Sequence, residues 1–220
     1  MKEIVLDTET TGISVKDGHR IVEIGCIELE NLIPTKNKFH FYLNPERKVS
    51  EQALKVHGYS DEFLSKQIKF SEIVEEFLEF IKDKRLIIHN AEFDLSHLNN
   101  ELKLLGKDKI ENEIVDTLIL ARNKYPGSQV SLDALCKKFR IDNSKRVTHT
   151  ALIDCDLLTK VYINLIDQKE PKLDFQTNNF QNNLVNNLNM SYFKKVIMPS
   201  NEELKKHNEY LKKNLKKNFF

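Results

Sequence analysis

The stretch from Ile4 to Gly12, IVLDTETTG, decides the fold and poses the chemical question of this chain. Three β-favouring apolar residues lead into two acidic residues, Asp7 and Glu9, which stand two positions apart. Alternate residues of a strand point to the same face, so these two carboxylates should project side by side. Like charges held together repel each other. The pattern therefore predicts a core strand whose end carries a site that neutralises negative charge.

Length and composition indicate one domain with an extension. The chain has 220 residues, of which 40% are hydrophobic and 30% are charged, an ordinary mixture for a globular protein. It contains no apolar run of membrane-spanning length, and the start MKEIVLDTE has no secretion signal. The three cysteines are odd in number and form no C-x-x-C pair, which favours reduced, buried thiols. We therefore expect a cytoplasmic protein without a membrane partner.

The charge is distributed unevenly along the chain. Residues 168–220 contain ten lysines and five acidic residues, a net charge of +5. Because the whole chain carries +1, residues 1–167 carry −4. An acidic body does not attract nucleic acid by itself, so a site for nucleic acid here would need bound cations.

Hydrophobic periodicity predicts an α/β order of elements, a mixed sheet covered by helices. Strands are predicted at Glu3–Asp7, Ile21–Leu29, Lys38–Leu43 and Leu86–His89, with a turn at Asn31–Thr35. Helices are predicted at Glu51–His57, Ser71–Lys82, Phe93–Leu105, Thr117–Lys124, Ser131–Phe139 and Thr150–Ile166.

The domain is predicted to end near residue 167. Residues 168–190 are rich in Asn and Gln, which is typical of a linker. Residues 191–220 carry too much apolar surface for a free tail and have helix polarity from Ser200 onward, with acidic residues first and lysines last. We expect this segment to be partly helical and to dock on a partner.

Two further acidic motifs follow the first, HNAEFD at residues 89–94 and HTALID at residues 149–154. Asp94 should lie in the first turns of a helix that follows a strand, at the sheet edge where ligand sites form. On one continuous helix His149 and Asp154, five residues apart, would point away from each other. We therefore expect His149 on the loop before the helix, leaning over a site that Asp154 faces.

The acidic residues of the three motifs define a predicted metal site. Hard oxygen ligands without cysteine suit two divalent cations, Mg²⁺ or Mn²⁺, and suit zinc poorly; these ligands are Asp7, Glu9, Asp94 and Asp154. Paired divalent ions promote hydrolysis of a phosphodiester by activating a water and stabilising the leaving oxygen. A histidine with a near-neutral pKa, here His149, can accept the proton of that water.

The three motifs resemble those of the DEDDh group of DnaQ-like 3′–5′ exonucleases. The chain has the group's D-x-E pattern at Asp7 and Glu9, its second acid at Asp94, and its H-x-x-x-x-D pattern from His149 to Asp154. The order of the motifs is also that of the family. The resemblance implies a ribonuclease H-like fold, with a mixed sheet flanked by helices, here followed by a C-terminal extension.

Within that family the chain is most similar to the proofreading subunits of bacterial DNA polymerase III. The stretches that carry the similarity are IVLDTETTG, HGYSDEFL, LIIHNAEFD, SLDALCKKFRIDNSKR and SNEELKKH. The resemblance implies removal of mispaired nucleotides from the 3′ end of DNA, single-stranded or frayed. It also implies that residues 191–220 bind the alpha subunit of DNA polymerase III.

The side chains predicted to contact the terminal nucleotide lie around the same acids: Asp7, Glu9, Thr10, His57, Phe93 and Asp154. Three of them have structural alternatives that the sequence leaves open. Thr10 could close a turn with Gly12, His57 could pack beside Gly58, and Phe93 could belong to the core instead of stacking on a base.

Clamp-binding peptides of this family have the pattern Q-x-x-aliphatic-x-aromatic. The nearest match is Glu170–Phe175, in which a glutamate replaces the glutamine. A carboxylate cannot donate the hydrogen bond of the amide, so the sequence predicts at most a weak sliding-clamp contact.

Two other functions stay open. A standalone 3′–5′ exoribonuclease would use the same acids, because discrimination depends on space around the 2′-hydroxyl, which the sequence does not reveal. A non-catalytic scaffold is less favoured, since a scaffold has no use for clustered, mutually repelling carboxylates.

Overall fold

The fold is built on a five-stranded mixed sheet, seen in a computed structural model that describes residues 2–144, 146, 148–167 and 199–214. The strands are β1 (Lys2–Thr10), β2 (Ile21–Glu30), β3 (Ile33–Tyr42), β4 (Arg85–Ile88) and β5 (Ile114–Asp116). They lie in the order β3-β2-β1-β4-β5. β2 is antiparallel to both β1 and β3, whereas β4 is parallel to β1 and to β5. This arrangement confirms the predicted mixed sheet.

Helices cover both faces of this sheet. They are α1 (Glu51–His57), α2 (Asp61–Leu64), α3 (Phe70–Ile81), α4 (Ala91–Leu104), α5 (Thr117–Lys124), α6 (Leu132–Phe139) and α7 (Ala151–Leu165), with a short 3-10 turn at Val15–Asp17. An eighth helix, α8 (Asn201–Asn214), belongs to a separate unit. None of the helices in the described part of the chain is both long and apolar enough to span a bilayer.

β1 is the central strand, and its alternating side chains divide the core into two layers. Ile4 and Leu6 pack on one face with the cluster that includes Phe77 of α3, and Val5 packs on the other with the cluster that includes Leu158 of α7. The three β1 side chains are fully buried, and each contributes roughly 1.5–3 kcal/mol to folding. By the same alternation, Asp7 and Glu9 continue the face that α7 covers.

The first turn of α7 lies directly on β2 at Gly25, the residue that pairs with Asp7 across the β1–β2 ladder. A Cβ at Gly25 would lie 2.6 Å from the carbonyl carbon of Ala151 and 2.8 Å from the backbone nitrogen of Leu152. The thiol of Cys155 also donates to the carbonyl oxygen of Gly25 at 3.2 Å. The missing side chain therefore lets α7 approach the sheet closely.

The turn predicted at Asn31–Thr35 exists but is shorter than predicted. Only Asn31 and Leu32 form the turn, both with positive φ, 51° and 67°, as in a two-residue hairpin loop. β3 begins immediately afterwards at Ile33 and contains Pro34. A proline is tolerated there because β3 is an edge strand.

Three short elements were not predicted: β5 with three residues, the 3-10 turn at Val15–Asp17 with three, and α2 with four. None is long enough to show a hydrophobic period. All the other predicted strands and helices of residues 2–167 occur in the structure, with boundaries shifted by a few residues.

The C-terminal helix α8 begins where the sequence predicts it. The hydroxyl of Ser200 accepts a hydrogen bond from the backbone of Glu203, and the Glu203 carboxylate accepts one from the backbone of Ser200. This reciprocal pair is a capping box. The division into residues 1–167, 168–190 and 191–220 stays a prediction, and the proposed linker lies outside the described residues.

The close approach at Gly25 can be tested by Gly25→Ala. The added methyl group meets backbone atoms that cannot rotate away, so we expect a loss of about 3 kcal/mol in the free energy of unfolding, measured by urea denaturation. Gly106→Ala is the control, because its φ is +68° but no atom lies within 4 Å of the new Cβ. It should lose about 1 kcal/mol from backbone strain alone. Equal losses in the two variants would contradict the tight α7 contact.

Candidate active site

Four acidic side chains meet where β1 ends. Asp7 and Glu9 lie on β1, Asp94 lies in the first turn of α4, and Asp154 lies in the first turn of α7. Asp94 and Asp154 are 2% and 3% exposed, and Glu9 is 9% exposed. Three separate elements therefore bring four carboxylates into a largely dry region.

Two hydrogen bonds fix the side chain of Asp94 to β1. Its Oδ1 accepts hydrogen bonds from the backbone N–H of Thr8 at 2.9 Å and from the Thr8 hydroxyl at 2.7 Å. The start of α4 is held by Asp116, whose carboxylate accepts from the backbone nitrogens of Asn90 and Ala91. Both bonds to Thr8 use Oδ1, so Oδ2 can serve as a ligand.

The loop before α7 holds His149 as the sequence predicts. The backbone N–H of His149 donates to the carbonyl of Val56 at 3.1 Å, and Thr150 caps α7. The His149 side chain is 43% exposed, so it is accessible to solvent.

Among the residues that the structure describes, a single group of His, Cys and acidic side chains has metal-binding geometry. Ligand atoms of Glu9, His149 and Asp154 all lie within 4.8 Å of one another. Asp7 and Asp94 are not members of this group, although the charges of Asp94, Asp154 and Glu9 all act on Asp7.

Burial and mutual repulsion raise three of the four carboxyl pKa values. Burial and the charges of Asp94, Asp154 and Glu9 raise the pKa of Asp7 well above its ordinary value. Burial and the charges of the neighbouring acids raise the pKa of Glu9 to about 8. Burial raises the pKa of Asp94 to about 7, against the opposing hydrogen bonds from Thr8.

The pKa of Asp154 is shifted in the opposite direction. Burial alone would raise its pKa, but the contacts of its carboxylate with His149 and Arg146 hold the pKa below its ordinary value. The charge of Arg146 therefore stabilises the ionised form of Asp154, whereas at Glu9 it is outweighed by burial and by the neighbouring acids. A cluster of oxygen ligands without cysteine, desolvated and self-repelling, fits divalent cations.

Arg146 is a site residue that the sequence analysis missed. Its Nε donates to Oδ1 of Asp154 at 2.6 Å and its NH2 group donates to Oδ2 at 2.7 Å, a bidentate pair. Its NH1 group donates to Oδ2 of Asp133 at 2.7 Å. The Arg146 side chain is 7% exposed, so this is a nearly buried network.

The NH2 group of Arg146 also lies 2.8 Å from Nδ1 of His149. A guanidinium only donates, so Nδ1 is the acceptor in this contact and the proton of the neutral imidazole lies on Nε2. The same Nδ1 is 3.5 Å from Oδ2 of Asp154. The shorter contact decides the tautomer, because a proton on Nδ1 would face the arginine N–H at 2.8 Å.

Glu23 is a second residue that was missed. This fully buried carboxylate on β2 accepts from the backbone N–H of Ala151 at 2.9 Å and from the Tyr59 hydroxyl at 2.8 Å, both through Oε2. Its Oε1 lies 2.7 Å from Nε2 of His40. Glu23 therefore ties the start of α7 to the sheet.

A cavity of 530 Å³ opens beside the acids. Its lining includes the predicted substrate residues Glu9, Thr10, His57 and Phe93. The Thr10 hydroxyl donates to the carbonyl of Gly12 at 2.8 Å, which closes a turn.

The ring of His57 is stacked on the ring of Tyr59, and its Nδ1 accepts a hydrogen bond from the backbone N–H of Tyr59 at 3.0 Å. His57 therefore packs against its neighbours in the loop, as one of the two alternatives predicts. Phe93 is half-buried and its ring centroid lies 4.7 Å from that of His97. The substrate roles assigned to Thr10, His57 and Phe93 stay predictions.

Comparisons with known proteins agree with this geometry. The family model of RNase T-type exonucleases matches residues 4–162. A relative from Rickettsia felis, named DNA polymerase III subunit epsilon, is 47% identical over 225 residues, which cover 98% of this chain and 98% of the relative.

Solved structures of exonucleases have the same fold. The nuclease domain of 3′hExo, a DEDDh family member bound to rAMP, has a TM-score of 0.65 at 18% identity, covering 76% of this chain and 92% of that chain. Exonuclease X in complex with 5′ overhanging duplex DNA has a TM-score of 0.60 at 22% identity, with the same coverage of both chains. The predicted ribonuclease H-like fold class is thereby confirmed.

The raised pKa values predict how stability depends on pH. An acid whose pKa is higher in the folded than in the unfolded protein loses stability as the pH rises from the unfolded pKa, near 4, to the folded pKa. For Glu9 and Asp94 the folded values are about 8 and about 7. In EDTA we therefore expect the melting temperature to fall as the pH is raised from about 5 to about 9.

Asp7→Asn removes one of the repelling charges, and in EDTA at high pH we expect it to melt at a higher temperature than the unmodified chain. Asp156→Asn on the exposed side of α7 is the control and should change little. If Asp7→Asn lowered the melting temperature under these conditions, repulsion between the carboxylates would not be the main factor that lowers stability at high pH.

Proposed function

The chain belongs to the RNase T exonuclease family, among the DNA polymerase III epsilon subunits, and from that premise we propose that it is the proofreading 3′–5′ exonuclease of a replicative DNA polymerase. The observation that carries the proposal is the convergence of Asp7, Glu9, Asp94, His149 and Asp154 at one end of β1. The reaction is hydrolysis of the terminal phosphodiester of a DNA strand.

We assign the binding of two divalent cations, Mg²⁺ or Mn²⁺, to the carboxylates Asp7, Glu9, Asp94 and Asp154. When bound, such ions polarise the phosphate and stabilise negative charge on the leaving oxygen. The use of divalent metal ions is general in this family, and the oxygen-rich ligand set fits it.

His149 is the proposed general base. Its imidazole is partly exposed beside Glu9 and Asp154, on a backbone held by the carbonyl of Val56. From there it can take the proton of the attacking water, provided that one ring nitrogen has a free lone pair. The fixed backbone keeps the ring within reach of the acids without making it a rigid part of α7.

The adjoining cavity is the proposed site of the terminal nucleotide. Its 530 Å³ is within the range of small-molecule pockets, and Phe93 offers a ring on which a base can stack. The same pocket would receive one nucleotide at a time, so it favours a strand end whose last base is unpaired. A mismatched end has already lost the pairing energy that must be given up to enter, which is the physical basis of proofreading.

The proposed partners are DNA and the alpha subunit of DNA polymerase III. We assign the polymerase contact to residues 191–220, which include α8. On that helix Leu204 and Leu211 are seven residues apart and share a face, whereas the lysines provide solubility. The weak clamp contact proposed for Glu170–Phe175 falls outside the described residues.

The activity is tested with a DNA primer that ends in a 3′ mismatch, the matched primer, and an RNA of the same sequence. We expect the mismatched DNA end to be removed fastest and EDTA to abolish cleavage. RNA removal faster than mismatched DNA removal would favour the exoribonuclease instead.

His149→Ala should lower the cleavage rate by roughly 10²–10⁴-fold while Mn²⁺ binding stays nearly unchanged, because the side chain moves a proton and is not a main ligand. The readouts are single-turnover cleavage of single-stranded DNA and calorimetric titration with Mn²⁺. His207→Ala on α8 is the matched control and should cleave at the normal rate. Normal cleavage by His149→Ala would refute its role as base.

The polymerase contact is tested with the double variant Leu204→Ser and Leu211→Ser. Removing two apolar contacts from an interface should weaken binding to the alpha subunit by roughly tenfold or more. Cleavage of single-stranded DNA should be unaffected. Lys205→Ser with Lys212→Ser, one position further on each, is the control and should bind normally. Unchanged binding of the leucine variant would assign the contact to another segment.

A further inference from the structure

Arg146 occupies both oxygens of Asp154, the atoms that a cation bound at Asp154 would need. Its guanidinium engages both oxygens of Asp154, at 2.6 and 2.7 Å, and the same NH2 group reaches Nδ1 of His149 at 2.8 Å. It is nearly buried, at 7% exposure. One side chain therefore controls a proposed metal ligand and the proposed general base together.

The contact with Asp154 sets the charge balance of the site. A bidentate, charge-assisted pair is among the stronger polar contacts in proteins, and here it is largely shielded from water. A cation arriving at Asp154 must share both oxygens with the guanidinium or displace it. Two positive charges on one carboxylate repel each other, which favours displacement.

The contact with His149 leaves the ring unable to accept a proton. A neutral imidazole has one nitrogen with a free lone pair, and Arg146 uses that lone pair on Nδ1. The other nitrogen, Nε2, then carries the hydrogen. In this arrangement His149 cannot serve as base at either nitrogen.

Asp133 gives the arginine a second place to bind. It lies on α6, is half-exposed, and accepts from the NH1 group of Arg146 at 2.7 Å. NH1 is the one terminal nitrogen that contacts neither Asp154 nor His149. Arg146 can therefore break its contacts with Asp154 and His149 while its charge stays paired with Asp133.

We propose that Arg146 is a cation-displaced latch, a positioning residue that holds Asp154 and His149 inactive until a divalent cation takes its place at Asp154. Displacement frees the carboxylate to bind the ion and frees Nδ1 of His149 in the same movement. The site becomes able to hydrolyse DNA only after it is loaded with metal. This inference rests on the metal site of the proposed function.

A permanent supporting role for Arg146 makes the opposite prediction. If the guanidinium merely oriented Asp154 for the ion, removing it would loosen the ligand and weaken metal binding. If it is displaced, removing it takes away a competitor and strengthens metal binding. The direction of the change in Mn²⁺ affinity therefore separates the two roles.

The test is calorimetric titration of the full chain with Mn²⁺ alone, for the unmodified protein, Arg146→Gln and Arg146→Lys. We expect Arg146→Gln to bind Mn²⁺ on the order of tenfold more tightly, since one competing charge is gone, with Arg146→Lys in between. Arg140→Gln, which removes an exposed arginine of the same loop, is the control and should bind as the unmodified protein does. Equal or weaker binding by Arg146→Gln overturns the latch.

A second readout follows the His149 ring itself. In EDTA, long-range ¹H–¹⁵N spectra should show Nδ1 of His149 as a hydrogen-bonded acceptor, and saturating Mg²⁺ should shift that signal. Arg146→Gln should show the shifted signal already in EDTA. An identical Nδ1 signal in EDTA for both proteins overturns the latch. Absence of Mn²⁺ binding to every protein would instead overturn the metal site on which the latch depends.

Discussion

The contact between the first turn of α7 and strand β2 is the constraint on which the site depends. Gly25 lets the helix backbone lie against the strand, and Glu23, two residues earlier on the same face, accepts a hydrogen bond from Ala151 at the helix start. The same Glu23 holds Tyr59, which stacks on His57 at the cavity. One stretch of β2 therefore fixes the helix that carries Asp154 and one wall of the cavity.

That geometry has an electrostatic cost. It brings a buried, negatively charged helix turn against a strand that already carries Asp7 and Glu9, and the pKa values of both rise as a result. Residues that repel one another in a dry region lower the stability of the fold, and such arrangements occur mainly where function requires them. Within the described residues, Arg146 is the one lysine or arginine that forms an ion pair with any of the four carboxylates, and its partner is Asp154. The remaining charge is what divalent ions can compensate.

Much of this could be predicted from the sequence, because strand alternation places Asp7 beside Glu9 and spacing places His149 on a loop. Glu23 also left a signal that was not used, because it is a charged residue between the apolar residues Val22 and Ile24 of a predicted strand. Arg146 is the last residue of the stretch SLDALCKKFRIDNSKR, which carries similarity to the family, but its role depends on tertiary contacts with Asp154 and Asp133 that the sequence does not reveal. The hairpin turn was misjudged because Leu32 adopts a positive φ, which the sequence does not suggest for leucine.

The distribution of charge explains why such a site belongs to a larger assembly. Residues 1–167 carry a net charge of −4, so within about 10 Å, the screening length at physiological salt, the exonuclease body repels DNA, and beyond that distance salt screens the repulsion. In the proposed metal site two divalent cations would balance the charge of the four carboxylates, so the repulsion of DNA would be weakest there. The rest of the body gives a free DNA end no electrostatic help in reaching the site. This fits the proposed role within DNA polymerase III, in which the alpha subunit would deliver the strand end; the segment proposed to bind it lies within the lysine-rich residues 168–220, which carry +5.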